Sequence, residues 1–278
     1  MIGNVFSPFY AAARARGPAN PLDFAAINVA IYGRRGAGWV LTERSRAAVA
    51  RDRDRLELGP SRIAWAGDAL TVDVDERTSP FGRRMRGRVR VLPELVHGVP
   101  VRLDGARGAH AWWPIAPRSR VEVELAEPSL RFAGTGYLDA NAGREPLERA
   151  FAGWSWSRTH GASRTAVAYA VDRRDGTEEV FERTFDARSL VLDAPRLERS
   201  ALPSTRWRMP RPFHGEPGAR PRVTRTLEDT PFYARTEVDG ALAGEPGRAV
   251  HEALSLDRFV APWVQFMLPY RMRREGAR

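Results

Sequence analysis

Apolar and polar residues alternate at a period of two through most of the chain, which restricts the fold more than any other feature. The pattern appears in WVLTE (39–43), RIAW (62–65), ALTVDVDE (69–76), RGRVRVL (86–92) and RVEVELAE (120–127). It returns in AVAYAVD (166–172), EVFERTF (179–185), SLVLD (189–193) and RVTRTLED (222–229). Segments of this kind, bounded by Gly, Pro and Asp, predict antiparallel strands with one buried face. Helical patterns are short: PLERAFAGW (146–154), LDRFVAPW (256–263), and RSRAAVARDRDR (44–55), which reads equally as strand and turn. In 278 residues, that many strands exceed one sandwich. The expected class is all-β, two antiparallel barrels or sandwiches in tandem with a few short helices. The composition changes near residues 143–150, which places the domains at 1–145 and 146–278. The Pro-rich stretch 203–221 reads as a long exposed loop.

All 44 basic residues are arginine and 34 residues are acidic, a net charge of +10. Such a field favours anionic lipid surfaces or nucleic acid. The arginines are scattered through strand-like segments, and no zinc-finger spacing or RNA-binding signature appears, so nucleic acid is not expected as a partner. The chain has no cysteine, which excludes disulfides, thiolate catalysis and cysteine metal sites. MIGNVFSPFYAAARARG carries its charges after a broken apolar run and does not read as a signal peptide, so residence on the cytoplasmic side is expected. No apolar run reaches the roughly 18–20 residues of a membrane-spanning helix. The C-terminal FVAPWVQFMLPYRMRR (259–274) has aromatic bulk followed by arginines, which suits an interfacial anchor and equally a segment packed on its own domain.

No phosphate-binding loop, dinucleotide fingerprint, nucleophile elbow or zinc-binding helix motif occurs. The five histidines, His97, His110, His160, His214 and His251, stand singly, so neither a metal nor another cofactor is expected. Chemistry concentrates instead around GTGYLDANAG (134–143), which places Asp139 between Tyr137 and a turn-like segment. His110, Trp112 and Trp113 precede the strand 120–127, and a hairpin returning through 130–139 brings them toward that aspartate. Trp154 and Trp156 alternate on the next segment. A carboxyl among indole and phenol faces is desolvated and stays protonated, a state suited to a general acid, and the faces attract cations. The same residues also fit a plainer role, with Asp139 and Asn141 building a turn and the tryptophans filling a core.

At these residues the chain resembles the carotenoid 1,2-hydratase family, bacterial enzymes that hydrate the terminal double bond of acyclic carotenoids. The resemblance runs through IGNVFSPFY (2–10), LDFAAINVAIYG (22–33), LTERSR (41–46) and LRFAGTGYLDANAGREPLERAFAGWSWSR (130–158). It continues in LEDTPFYAR (227–235) and AVHEALSLDRFVAPW (249–263). The wider superfamily is similar in its GxxYxD element followed by WxW, and its members are two lipocalin-like barrels in tandem. Many of them carry His and Trp after the aspartate; Ala140, Asn141 and Ala142 here agree with the hydratase branch.

The resemblance implies a cofactor-independent hydro-lyase of carotenoid biosynthesis, with His110, Trp112, Tyr137 and Asp139 as catalytic positions and Asp139 as the acid. Trp113, Trp154 and Trp156 are the expected substrate wall, and Asp229 is held in reserve. Asp139 would protonate C2 of neurosporene or lycopene, the aromatic faces would stabilise a cation at C1, and water would add there. Tyr137 and His110 both remain open as the group that handles the water. A substrate dissolved in the bilayer implies peripheral contact with the inner or intracytoplasmic membrane of a photosynthetic bacterium and with neighbouring carotenoid-pathway enzymes. The alternatives are a lipocalin-like polyene carrier and a cyclising, Diels-Alderase-like enzyme of the same superfamily.

Overall fold

The computed structural model describes residues 1–33, 37–191, 197–242 and 245–275. Its strands are overwhelmingly antiparallel and its helices short, so the all-β reading holds. An eight-stranded sheet contains the path Leu130–Gly143, His110–Glu127, Arg84–Leu95, Ala69–Arg77, Ser61–Ala66, Arg55–Leu58 and Val49–Arg51, with Val101–Arg102 pairing the His110 strand. A seven-stranded sheet runs Leu190–Val191, Glu178–Phe185, Thr165–Arg173, Phe151–His160, Glu245–Ser255, Tyr233–Leu242 and Arg222–Asp229. Residues 192 and 193 of the expected SLVLD strand lie outside the described residues.

Two compact units emerge, one from Met1–Pro93, Arg120–Gly136 and Gln265–Arg278, the other from Glu94–Ser119 and Tyr137–Val264. In the first, Arg44 is buried and donates to both oxygens of Glu76 at 2.8 and 3.0 Å, and Ser61 donates to the same carboxylate at 2.7 Å. Polar partners of this kind make a buried charge tolerable. Segment 44–55 resolves as strand and turn, a 3₁₀ turn at Arg46–Ala48 followed by Val49–Arg51. A helix absent from the sequence reading occupies Pro8–Arg16; Ser7 caps it by accepting from the Tyr10 N–H at 3.1 Å, and Pro8 opens it.

The second unit is organised by the alternation in FAGWSWSRTH. On the Phe151–His160 strand, Gly153, Ser155, Ser157 and Thr159 are fully buried on one face, while Trp154, Trp156, Arg158 and His160 are half-buried on the other. Expected helix 146–154 is therefore helical only over Leu147–Ala150, and its second half, from Phe151, is strand. A period-two run of small and large residues fits a pleated ribbon better than one side of a helix. The absence of a side chain at Gly153 matters, because a Cβ there would lie 2.7 Å from the Leu254 carbonyl oxygen on the paired strand.

The stretch 203–221 corrects the reading of an exposed loop. Its Arg211–Gly215 portion pairs with Glu198–Leu202, and Phe213 and Met209 are buried. Phe213 packs with Ala166, Leu202, Val238 and Ala249, while Arg211 donates to the Pro203 carbonyl at 2.7 Å and to Thr226 and Thr236 at 3.2 Å. Pro210 and Pro212 interrupt the donor pattern of a strand and mask this hairpin in the sequence. Phe213→Ala is expected to destabilise the protein by about 3–5 kcal/mol in denaturant titration, the range for emptying an aromatic core site. A loop residue would give a change within about 0.5 kcal/mol.

Candidate active site

Tyr137 and Asp139 stand two residues apart on the Leu130–Gly143 strand, so their side chains leave the same face. Trp112 arrives from the neighbouring His110–Glu127 strand, the hairpin partner the sequence predicts. Its indole N–H donates to Asp139 Oδ2 at 2.9 Å, and the Tyr137 hydroxyl donates to the same oxygen at 3.4 Å. Trp112 is completely buried; Tyr137 and Asp139 are half-buried.

Aromatic rings extend the cluster. Trp156 packs on Tyr137 with ring centroids 5.1 Å apart, and Trp112 meets Tyr169 edge-on at 5.3 Å. Trp154 touches Tyr169 at 5.8 Å and Tyr233 at 6.4 Å. Pairing explains the convergence: Trp156 stands opposite Tyr169 on one side and Glu252 on the other, and direct antiparallel partners share a face. Arg235, opposite Glu252 on the next strand, donates to Glu252 Oε1 from Nε at 3.0 Å and approaches it from a terminal nitrogen at 2.8 Å. Arg158 lies 5.7 Å from the Tyr137 ring centre.

Burial pushes the Asp139 carboxyl from 3.8 up to about 6; the Trp112 bond opposes this, the Glu252 charge reinforces it, and the Tyr137 bond opposes it again. Burial, with the Asp139 charge beside it, raises the Tyr137 phenol well above 10. Tyr169 is raised by burial and then by Asp139 and Glu252, while its hydroxyl donates to Asn141 Oδ1 at 3.5 Å. The result is an acid that keeps its proton to about pH 6, set against electron-rich ring faces. Such a group can protonate an apolar π-bond, and such faces can hold the resulting cation.

Not every expected site residue meets the carboxyl. His110 is buried with Nδ1 3.3 Å from Asp104 Oδ2 and Nε2 3.2 Å from the Glu145 carbonyl oxygen, and its ring stands edge-on to Phe151. A Cβ at Gly143 would lie 2.8 Å from His110 Cδ2, so the histidine fixes the end of the strand that carries Asp139. Trp113 leaves the opposite face from Trp112, is 37% exposed, and donates to the His97 carbonyl at 2.6 Å. Asp229 accepts from the Arg206 N–H at 2.8 Å, a long-range bond that ties the segment before the Arg211–Gly215 strand to the end of the Arg222–Asp229 strand.

Asp104, His110 and Glu145 bring ligand-type atoms within 4.8 Å of one another. Their atoms are already committed: Asp104 accepts from the Ala109 and His110 N–H groups, and Glu145 binds Arg107 at 2.6 Å. This donor set fits a hydrogen-bonded clamp better than a metal cage. Tyr169, Tyr233, Arg235 and Glu252 escaped the sequence reading. Their signal lay in AVAYAVD, LEDTPFYAR and AVHEALS, where only strand register reveals that they share a face with Trp156.

Because the folded-state value of Asp139 is raised, its contribution to stability is full below about pH 4 and is lost as pH rises through about 6. Asp139→Asn is therefore expected to stabilise the fold relative to wild type at pH 8, by up to roughly 3 kcal/mol at about 1.4 kcal/mol per unit. Denaturant titration at the two pH values checks the sign, and the gain should vanish at pH 4.

The chain is similar to known proteins over nearly its whole length. The family model described as carotenoid hydratase CrtC matches residues 1–278. The acyclic carotenoid 1,2-hydratase of Thiocapsa roseopersicina is 51% identical over 277 residues, covering 99% of this chain and 68% of that protein. The enzyme of the same description from Rubrivivax gelatinosus is 46% identical over 283 residues, again 99% and 68%, and that from Cereibacter sphaeroides is 39% identical over 280 residues, 99% and 98%. Among solved structures, a putative AttH from Nitrosomonas europaea superposes with a TM-score of 0.57 at 15% identity, covering 78% of this chain and 76% of its own. CghA with Sch210972 gives 0.51 at 11% identity, covering 83% and 74%. These two likenesses concern the lipocalin-like fold alone. The family match and the relatives, spanning nearly every residue, establish that the chain belongs to the carotenoid hydratase family.

Proposed function

We propose that the protein adds water across the terminal C1=C2 bond of an acyclic carotenoid, lycopene or neurosporene, giving the 1-hydroxy derivative. The observation that carries this reading is the Trp112–Asp139–Tyr137 contact set, with a carboxyl held neutral to about pH 6 inside an aromatic cluster. Asp139 delivers its proton to C2. The positive charge left at C1 is tertiary and is stabilised by the faces of Trp112, Tyr137, Trp154 and Trp156. Water then bonds to C1. No electrons are exchanged with a redox partner, so the reaction calls for no redox cofactor.

A C₄₀ hydrocarbon resides in lipid, and the surface supports a peripheral encounter there. The C-terminal segment exposes Trp263, Phe266 and Tyr270, at 51%, 69% and 69%, ahead of Arg271 and Arg274. Aromatic rings at headgroup depth followed by arginines suit an anionic bilayer on the cytoplasmic side, where pathway neighbours hand over the same polyene. Trp263→Ser combined with Phe266→Ser is expected to reduce co-sedimentation with phosphatidylglycerol vesicles at least several-fold while leaving the unfolding midpoint unchanged. Equal sedimentation of variant and parent would remove this segment from the membrane contact.

The activity is tested with lycopene in liposomes in ¹⁸O-labelled water without added cofactors. The expected product is a labelled tertiary alcohol, with turnover falling as pH rises above about 6 because Asp139 loses its proton. Asp139→Asn should lower turnover by about 10²–10⁴-fold. Bound but unchanged lycopene would favour a carrier, and isomerised polyene without oxygen a cyclising enzyme.

A further inference from the structure

Hydration involves two proton movements, and Asp139 accounts for one. The water that attacks C1 must also lose a proton, and neither group named for this step from the sequence is placed to take it. His110 has both ring nitrogens engaged with Asp104 and the Glu145 carbonyl. Tyr137 directs its O–H at Asp139, and its phenol is held well above 10 by burial and the neighbouring carboxylate.

A second carboxylate shares the aromatic face. Glu252 stands directly opposite Trp156, whose ring packs on Tyr137, which in turn bonds Asp139. Arg235 binds Glu252 through two nitrogens that converge on one oxygen, Oε1, and Glu228 lies 3.8 Å from Arg235 as a further anion. The Tyr233 phenol is raised chiefly by burial and then by the Glu252 charge, which also acts on Tyr169, after burial and the Asp139 charge, and on Asp139. Arg158, on the Trp156 strand, and Arg183, reached through Val167, are further charged groups on this face. The site thus holds two acids in different settings, one bonded only by neutral donors and one ion-paired, a division suited to acid and base roles.

We propose that Glu252, positioned by Arg235, is the base that takes the proton from the water adding at C1. The proposal rests on the hydration reading above. The Asp139 O–H bond breaks as the π electrons of C1=C2 form the C2–H bond, leaving a cation at C1. A water lone pair forms the C1–O bond, and the surplus O–H proton passes to the Glu252 carboxylate. Return of that proton to Asp139 through solvent restores both groups, with one water consumed.

The test is incubation with lycopene liposomes in D₂O, following both 1-hydroxy product and deuterium in recovered lycopene. In Glu252→Gln the cation still forms but water addition stalls, so it returns a hydrogen from C2 to Asp139. Hydration is expected to fall at least about 100-fold, in the range for loss of a general base, while recovered lycopene gains deuterium at C2. Glu252→Asp should restore part of the hydration, and Asp139→Asn should lose hydration and exchange together. Hydration by Glu252→Gln within threefold of wild type would overturn the proposal, as would loss of exchange together with hydration in a variant that retains the wild-type unfolding transition. If Glu252→Gln does not fold, Glu252→Asp decides by the same two readouts: lowered hydration with retained exchange supports the base role, and parallel loss of both overturns it. Wild-type protein that neither hydrates nor exchanges would instead overturn the hydratase reading itself.

Discussion

The hydrogen bond from the Trp112 indole to Asp139 is the contact around which the site is built. A carboxyl moved out of water prefers its neutral form, and a cationic partner would reverse that preference. Here the donors to Asp139 are an indole N–H and a phenol O–H, both uncharged. They orient the acid without supplying the charge that would ionise it, and the balance settles near 6. The same rings that desolvate the acid present negative quadrupole faces where a carbocation would form. In the proposed hydration, one set of side chains would therefore serve both proton delivery and charge stabilisation.

That arrangement requires a wall that is aromatic on one face and tightly seated on the other. The Phe151–His160 strand meets both needs, with large residues facing the acid and Gly, Ser and Thr facing away. On the small-residue face, Ser157 Oγ lies 2.8 Å from His251 Nδ1, and His251 stands edge-on to Phe213 of the buried hairpin. Burial lowers the His251 ring to about 3, so it is neutral and adds no charge to the interior. His110, committed to Asp104 and Glu145, performs a related service for the strand ends that carry Trp112 and Asp139.

Much of this was legible in the chain. Period-two alternation gave the strands because pleating maps it directly onto two faces, and the hairpin between 110 and 143 correctly joined Trp112 to Asp139. The same reasoning misplaced Trp113, since adjacent residues on a strand face opposite ways. Glu252 and Arg235 sit within segments whose family resemblance was visible, yet their meeting depends on register between the strands Tyr233–Leu242 and Glu245–Ser255. No local pattern encodes that register. The hairpin at 198–215 was hidden for a different reason: prolines and buried arginine imitate a loop until their partners are known.

The most direct test of the central claim is infrared difference titration of the Asp139 carboxyl, comparing wild type with Asp139→Asn in the presence of lipid. The expected result is a protonated C=O band, absent from the variant, that disappears with a midpoint near pH 6. A midpoint near the ordinary aspartate value of about 4 would mean that the carboxyl is ionised near neutral pH, and would contradict its proposed role as the proton donor.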